Sequence, residues 1–302
     1  MMNSKTFKLE PAVFHTINAV ILIGIAIVTL YPMWNTLAVS FNTGNDTMRG
    51  GIYLWPREWT LQNYQSIFAS GALLQAFWIS VARTVIATFT GLFLASMLAY
   101  TLSRKEYSLR RPITLIVVLT LYFNAGLIPY YFLIKDLNLL NTFLVYIIPG
   151  LVSAFNMLVI RTYIQTLPEG LIESAKIDGA SEFATFMRII LPLCRPVLAT
   201  VALFVAVGQW NSWFDTFLFN SSNPDLSTMQ FELMRLLSST MQSNASAASV
   251  YNASGAAAER IVVTPLSIRA AITIVAAVPI LLIYPFLQRH FVHGMQLGSM
   301  KE

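Results

Sequence analysis

Apolar residues gather in six long runs: 13–38, 73–102, 112–134, 142–164, 194–215 and 268–291. Each has roughly the 20 mostly apolar residues that a bilayer crossing needs, although polar residues interrupt several. Backbone groups inside lipid have to pair within their own segment, so helices are the expected element. The pattern predicts an all-α membrane protein with six transmembrane helices. No internal repeat is evident, and no stretch has the length of a separate soluble domain. Residues 1–302 therefore read as one transmembrane domain with its core at about 73–291. The first run follows Lys5 and Lys8 and leads into "LAVS" at 37–40, the outline of a secretory signal. Phe14 to about Ala38 is too long for a signal's apolar region of ~7–15 residues, and the run reads as a retained membrane helix.

Composition agrees with this pattern. The chain is 56% hydrophobic and 11% charged, with a mean hydropathy of +0.63. Soluble domains carry about 25% charged residues, so much of this surface must face lipid. The net charge of +5 is not gathered into a dense basic run, which argues against a nucleic-acid partner. The basic residues sit instead at the ends of apolar runs, where they act as topology signals. With the N-terminus in the cytosol, Lys5, Lys8, Arg104, Lys105, Arg110, Arg111, Arg161, Lys176, Arg188, Arg195, Arg289 and Lys301 face inward. Arg49, Arg57, Lys135, Arg235, Arg260 and Arg269 face outward, and Arg83 lies inside the second run. This inward bias places both termini, the tight "SRKEYSLRR" turn at 103–111 and residues 165–193 in the cytosol.

Two outer loops are long. Residues 39–72 carry turn-forming Gly, Asn and Pro together with the interface-seeking Trp55 and Trp59. Residues 216–267 hold an amphipathic helix in "MQFELMRLLSSTM" and a flexible small-residue run at 243–258. The N-x-S patterns at Asn244 and Asn252 in that run read as chance matches. The single cysteine, Cys194, excludes an internal disulfide and cysteine-based zinc sites. The chain has no G-x-x-x-x-G-K-[S/T] phosphate loop and no G-x-S-x-G elbow, and His15, His290 and His293 form no ligand cluster. No metal, cofactor or catalytic group is expected on this chain.

Residues 169–183, "EGLIESAKIDGASEF", break the apolar pattern with Glu169, Glu173, Asp178 and Glu182. The loop 166–192 reads as two short helices with a break. Pro168 suits a first helical turn, and Glu169 meets the positive end of the helix dipole. Leu171, Ile172 and Ala175 recur at helical spacing. Asp178-Gly179 is a helix stop in which glycine takes positive φ, and Ser181 caps the next helix. Pro192 and Pro196 mark the return into lipid.

Glu173, Ser174, Ala175, Gly179, Ile189, Leu191 and Pro192 resemble, at matching spacing, the EAA motif of the permease subunits of bacterial ABC importers. Ser174 is the single departure, one small residue for another. An ordinary solvated loop with a helical turn is the alternative reading of the segment. The resemblance implies a type I ABC importer permease fold. It also implies a coupling helix that docks in a groove of the ATP-hydrolysing subunit, carried here by the seven motif positions with Asp178 and Ala180. ATP and Mg then belong to that partner, and this chain binds neither. "YPMWNTLAVSFN", "NTFLVYIIPG", "SAFNMLVIRTYIQTLPEGLIESAKIDGAS" and the tail "FVHGMQLGSMKE" resemble the carbohydrate-uptake branch of maltose-permease type. "GQWNSWFDTFLF" is similar to permeases for complex-polysaccharide oligosaccharides. By that resemblance the chain is one permease half of an oligosaccharide importer in the bacterial cytoplasmic membrane. Its partners are a second permease, two copies of an ATP-binding subunit and an extracytoplasmic sugar-binding protein. The loop at 216–267, through its run at 243–258, is placed to meet that protein, and a disordered spacer is the alternative reading of the run. Amino-acid and peptide permeases share the motif without these flanks. An ion-coupled transporter needs buried carboxylates, and only Asp215 comes near, at the outer end of a run.

Polar side chains within membrane runs are costly and mark candidate sites. Arg83 is open to four uses: contact with substrate, pairing with an acid on a companion subunit, snorkelling outward, or bonding to backbone carbonyls. Asn124, Tyr130, Tyr131, Asn156, Gln209, Trp210 and Asn211 are further candidates for a translocation path. Amides bind sugar hydroxyls and aromatic faces take the C–H surface. Helix packing for Asn124 and Asn156 and an aromatic belt for Trp210 explain those residues equally well. A sugar site wholly on the companion chain also remains open.

Overall fold

The computed structural model describes residues 11–69, 71–236, 238 and 263–299. The basic N-terminus, the small-residue run at 243–258 and the end of the tail lie outside the described residues. Every regular element is helical, and among the described residues the only strand-like pairing is an isolated bridge between Asn42 and Trp59. The chain divides into two compact units, residues 1–69 with 236–275 and residues 70–235 with 276–302.

In the first unit, α1 (Pro11–Ser40) leaves its most apolar stretch wholly exposed. Thirty residues make a rod of about 45 Å, longer than the ~30 Å hydrocarbon layer. Two short helices, α2 (Gly44–Arg49) and α3 (Gln62–Ala69), fold around its far end. Buried Asn63 donates to the carbonyls of Ser40 and Asn42, each at 2.9 Å. Asp46 accepts from Asn42 at 3.0 Å and from Arg57 at 2.9 Å. Burial pushes the Asp46 carboxyl up, but these two donors outweigh it and hold the group below its usual range. A Cβ on Gly44 would lie 2.6 Å from Thr264, so only glycine permits that approach.

In the second unit, α4 (Ala72–Ser103) is the spine against which α7 (Ala154–Ile164) and α10 (Arg195–Asn211) pack. Ala87, Gly91, Ala95 and Ala99 recur every fourth residue along its buried side. Such small residues let backbones come close where lipid supplies no hydrophobic drive between helices. Ala95, Ala99 and Leu102 pack into one core with Met157, Ile160, Phe186, Ile190, Leu198 and Val201.

Three helices are long and apolar enough to cross a membrane unbroken: Val13–Ser40, Ala72–Ser103 and Pro265–Leu282, the last within α13 (Pro265–Ser299). The other expected runs are interrupted. The run at 112–134 is two ten-residue helices, α5 (Arg110–Leu119) and α6 (Leu127–Asp136), each about 15 Å long and half a bilayer deep. Between them Asn124 accepts the Gly126 N–H at 2.9 Å and Gly126 takes φ 88°, a local turn that hydropathy does not register. The run at 142–164 is a pair of 3₁₀ turns, Phe143–Tyr146 and Ile148–Gly150, followed by α7 at a 47° bend. The run at 194–215 holds α10, then α11 (Phe214–Phe219) and α12 (229–236) follow. At Cys194, α9 (Glu182–Leu193) meets α10 at an 80° bend, and residues Phe186–Ile190 of α9 are π-helical.

Candidate coupling loop and polar cleft

The polar loop folds as its sequence dictates. Helix α8 (Gly170–Ile177) ends in a Schellman motif. The Ala180 N–H reaches the Ala175 carbonyl at 2.9 Å, the Gly179 N–H reaches Lys176 at 3.0 Å, and Gly179 takes φ 76°. Ser181 then accepts the Ala184 N–H at 3.2 Å and starts α9. Ile172 and Ala175 are buried beneath α8, Ile172 in the core with Phe186 and Ile190. Glu173, Ser174, Asp178 and Gly179 face outward, beside Ile177, which is 86% exposed, and the exposed Phe183. The product is a knob with an apolar tip and acidic flanks. Ala180, Ile189, Leu191 and Pro192 are half-buried, so this half of the motif sets the path of α9 rather than the outer face of the knob.

Charged groups tie the knob to the C-terminal end of α4. Lys176 reaches Glu182 at 3.1 Å and Glu106 at 3.2 Å. Glu106 also accepts from Arg104 at 3.1 Å, and Glu182 accepts the Tyr100 hydroxyl at 2.6 Å. Lys105 pairs with Glu169 at 2.5 Å. The backbone N–H of Glu106 and the Lys176 ammonium lower the Glu106 carboxyl to about 2. Glu182 is held low by the Tyr100 hydroxyl and then by Lys176, while Glu182 and Glu106 push Lys176 up. The sequence marks Glu182 among the acids of the loop, but neither it nor Glu106 nor Tyr100 is a motif position. The dense charge of "SRKEYSLRR" was the available signal for that contact.

A second cluster lies at the other end of α4. Arg83, with 2% of its side chain exposed, donates to Gln209 at 2.8 and 3.2 Å and to Asp215 at 3.2 Å and through a second, shorter contact. Its guanidinium also stacks 4.4 Å from the Tyr146 ring centre. Asp215 accepts from Ser212 at 3.0 Å and from the Thr216 N–H at 2.9 Å. Of the four uses left open for Arg83 the structure displays carbonyl contact, with Ser212 O at 3.4 Å, while the internal ion pair with Asp215 was not among them. Gln209, Ser212 and Asp215 line an open cleft of about 330 Å³ with Tyr130, Tyr146 and Phe219. Tyr131 stacks on Phe219 from nearby. The remaining candidates stand elsewhere. Trp210 is buried and donates to the Ala276 carbonyl at 3.0 Å. Asn211 bonds to the Val207 carbonyl at 2.9 Å within its own helix. Asn124 belongs to the α5–α6 turn, and Asn156 is half-buried in the first turn of α7, where its N–H meets the Ser153 cap at 3.3 Å. Asp215, Ser212 and Tyr146 were not among the sequence candidates, because only the fold brings them to Arg83.

Long apolar helices, an exposed acidic knob and a polar cleft suit the transport class. The chain is a member of the binding-protein-dependent transport system inner membrane component family, whose pattern it matches over residues 91–297. It is 35% identical to Protein LplC of Bacillus subtilis across 96% of this chain and 95% of that one. It is 34% identical to the polygalacturonan/rhamnogalacturonan transport system permease protein YtcP of Bacillus subtilis, across 91% and 94% of the two chains. Its fold matches a chain in the crystal structure of a bacterial ABC transporter involved in the import of the acidic polysaccharide alginate. That match has a TM-score of 0.83 at 24% identity and covers 95% of this chain and 99% of the other. The chain is thus an ABC importer permease subunit of the bacterial inner membrane, working with other transporter subunits.

Proposed function

We propose that this chain is one permease half of an ATP-driven, binding-protein-dependent importer of oligosaccharides. It joins a second permease, two copies of an ATP-hydrolysing subunit that hold ATP and Mg, and an extracytoplasmic sugar-binding protein. The chain crosses the membrane six times with both termini in the cytosol. In that count α5 and α6 form one interrupted crossing beside the three unbroken helices and two bent pairs. The knob at α8 docks in the ATPase groove, and its movement switches the cleft between inward and outward access. The observation that carries this reading is the family match over 91–297 enclosing an exposed acidic knob on a left-handed glycine stop. The sugar assignment draws support from the name of YtcP and from a cleft that sets the Gln209 amide and Asp215 carboxylate beside Tyr130 and Phe219. Contact of the binding protein with residues 243–258 is part of the proposal and concerns a segment outside the described residues.

The test is reconstitution in liposomes with the partner subunits. Saccharide-loaded binding protein is expected to stimulate ATP hydrolysis and drive uptake that is insensitive to protonophores. Uptake that collapses with the ion gradient, or an ATPase indifferent to every saccharide offered, refutes it.

A further inference from the structure

We propose that Lys176 is a latch that makes α8, α9 and the inner end of α4 move as one body, so that force entering at the coupling loop reaches the cleft through α4. The inference rests on the coupling role given above to the loop. Among the described residues, Lys176 is the one side chain that bonds both to Glu182, at the start of α9, and to Glu106, in the turn after α4. Each carboxylate has a second anchor on or beside α4, in the Tyr100 hydroxyl for Glu182 and the Arg104 guanidinium for Glu106. The bonds therefore run from α4 through α9 and α8 and back to the turn that follows α4. Buried Ile172 and Ala175 already hold α8 in place, so the ionic latch is not needed to keep the loop folded. What it adds is resistance to sliding of α8 along the core, which apolar packing opposes weakly because it has no directional bonds.

The far end of the same helix explains why such stiffness matters. Seventeen residues separate Tyr100 from Arg83 on α4, a rigid rise of about 25 Å. Arg83 grips Gln209 and Asp215, which line the cleft. A displacement of α8 that carries α4 with it moves Arg83 against those partners. A displacement that α4 does not follow is lost at the loop. Lys176 is thus a positioning residue acting through α4, with no part in docking.

The test uses the complete importer, with Lys176→Met and Lys176→Arg. Lys176→Met is expected to keep the ATPase subunit bound at its normal stoichiometry with basal ATP hydrolysis intact. Its sugar transported per ATP should fall by about ten-fold, within the range for residues along a coupling route. Lys176→Arg, which keeps the charge and reach, restores the ratio, and Glu106→Gln lowers it less because the Glu182 arm remains. An unchanged transport-to-ATP ratio in Lys176→Met overturns the latch. Release of the ATPase subunit by Lys176→Met also overturns it and makes Lys176 a docking contact instead. Glu173→Lys separates the two ideas, since Glu173 faces outward and takes no part in the latch. If that variant and Gly179→Val both keep their ATPase and full transport, the docking reading fails, whatever Lys176 shows.

Discussion

Gly179 and Glu173 bear on coupling in different ways. At φ 76° any side chain meets backbone strain of about 1–2 kcal/mol, although a Cβ there finds open space around it. Gly179→Val therefore loosens the end of α8 and adds bulk beside the knob, while Glu173→Lys reverses an exposed charge at a stability change under about 0.5 kcal/mol. Both variants are expected to reach the membrane and to lose the ATPase subunit on purification; full transport by both would remove the docking role. Arg83 poses a different question. Deleting it strands Asp215, whose side chain is 24% exposed, at a cost of about 3 kcal/mol, the low end for a buried pair. Arg83→Met is thus expected to lower the melting temperature in detergent, and Arg83→Met with Asp215→Leu to recover it. Transport that stays lost in the stable double variant assigns the pair to the path; transport that returns assigns it to packing. The sequence showed Arg83 as a charge in an apolar run but not its partner, which lies 132 positions away.

Among the elements, the best read from sequence were those fixed by local chemistry. The glycine stop of α8 and the Ser181 cap are short-range bonds, and their residue types announce them. The breaks were hidden because hydropathy sums side chains and is blind to backbone turns. Gly126 makes the point, since its φ of 88° opens α6 after α5 has stopped at Leu119. With nothing within 4 Å of its missing Cβ, a substitution there costs only backbone strain. Gly126 has ψ 172°, a region that is essentially glycine's alone, so Gly126→Val and Gly126→Asn should both lose about 1–3 kcal/mol of thermal stability. An asparagine variant as stable as the natural protein would mean that the turn relaxes to another conformation. The ionic contacts of α8 make a pH prediction. Glu106 is lowered from 4.5 to about 2, so its contribution is complete above about 4.5 and fades as pH falls toward 2. Lys176 is raised, so it stays charged through the same interval. A spin label at Ser174 is expected to show constant mobility between pH 8 and 5 and rising mobility below about 4. Loosening already at pH 6 would mean that another group holds the loop.

At the scale of the whole molecule, the membrane class was readable because shortage of charge and length of apolar runs are properties of the whole chain. The breaks in those runs were not: the run at 142–164 bends by 47° and the run at 112–134 is split into two short helices. Topology can be measured directly. Single cysteines at Ser108 and Ser181 are expected to react with impermeant maleimide only from the cytosolic side, and one at Ser222 only from outside. All three positions are exposed. Outer labelling at Ser181 would remove the knob from the ATPase side.

The bend at Cys194 has a practical consequence. The thiol is 1% exposed at the junction of α9 and α10, where the chain turns by 80°. The natural protein should therefore be nearly silent toward thiol reagents at rest, and it carries a reporter at the joint where two rods meet. If turnover flexes that joint, Cys194 will be modified faster with ATP and substrate than without, at a rate that counts openings per cycle. If the joint is a fixed elbow, the two rates will coincide, and the movement of the path will have to be sought along α4.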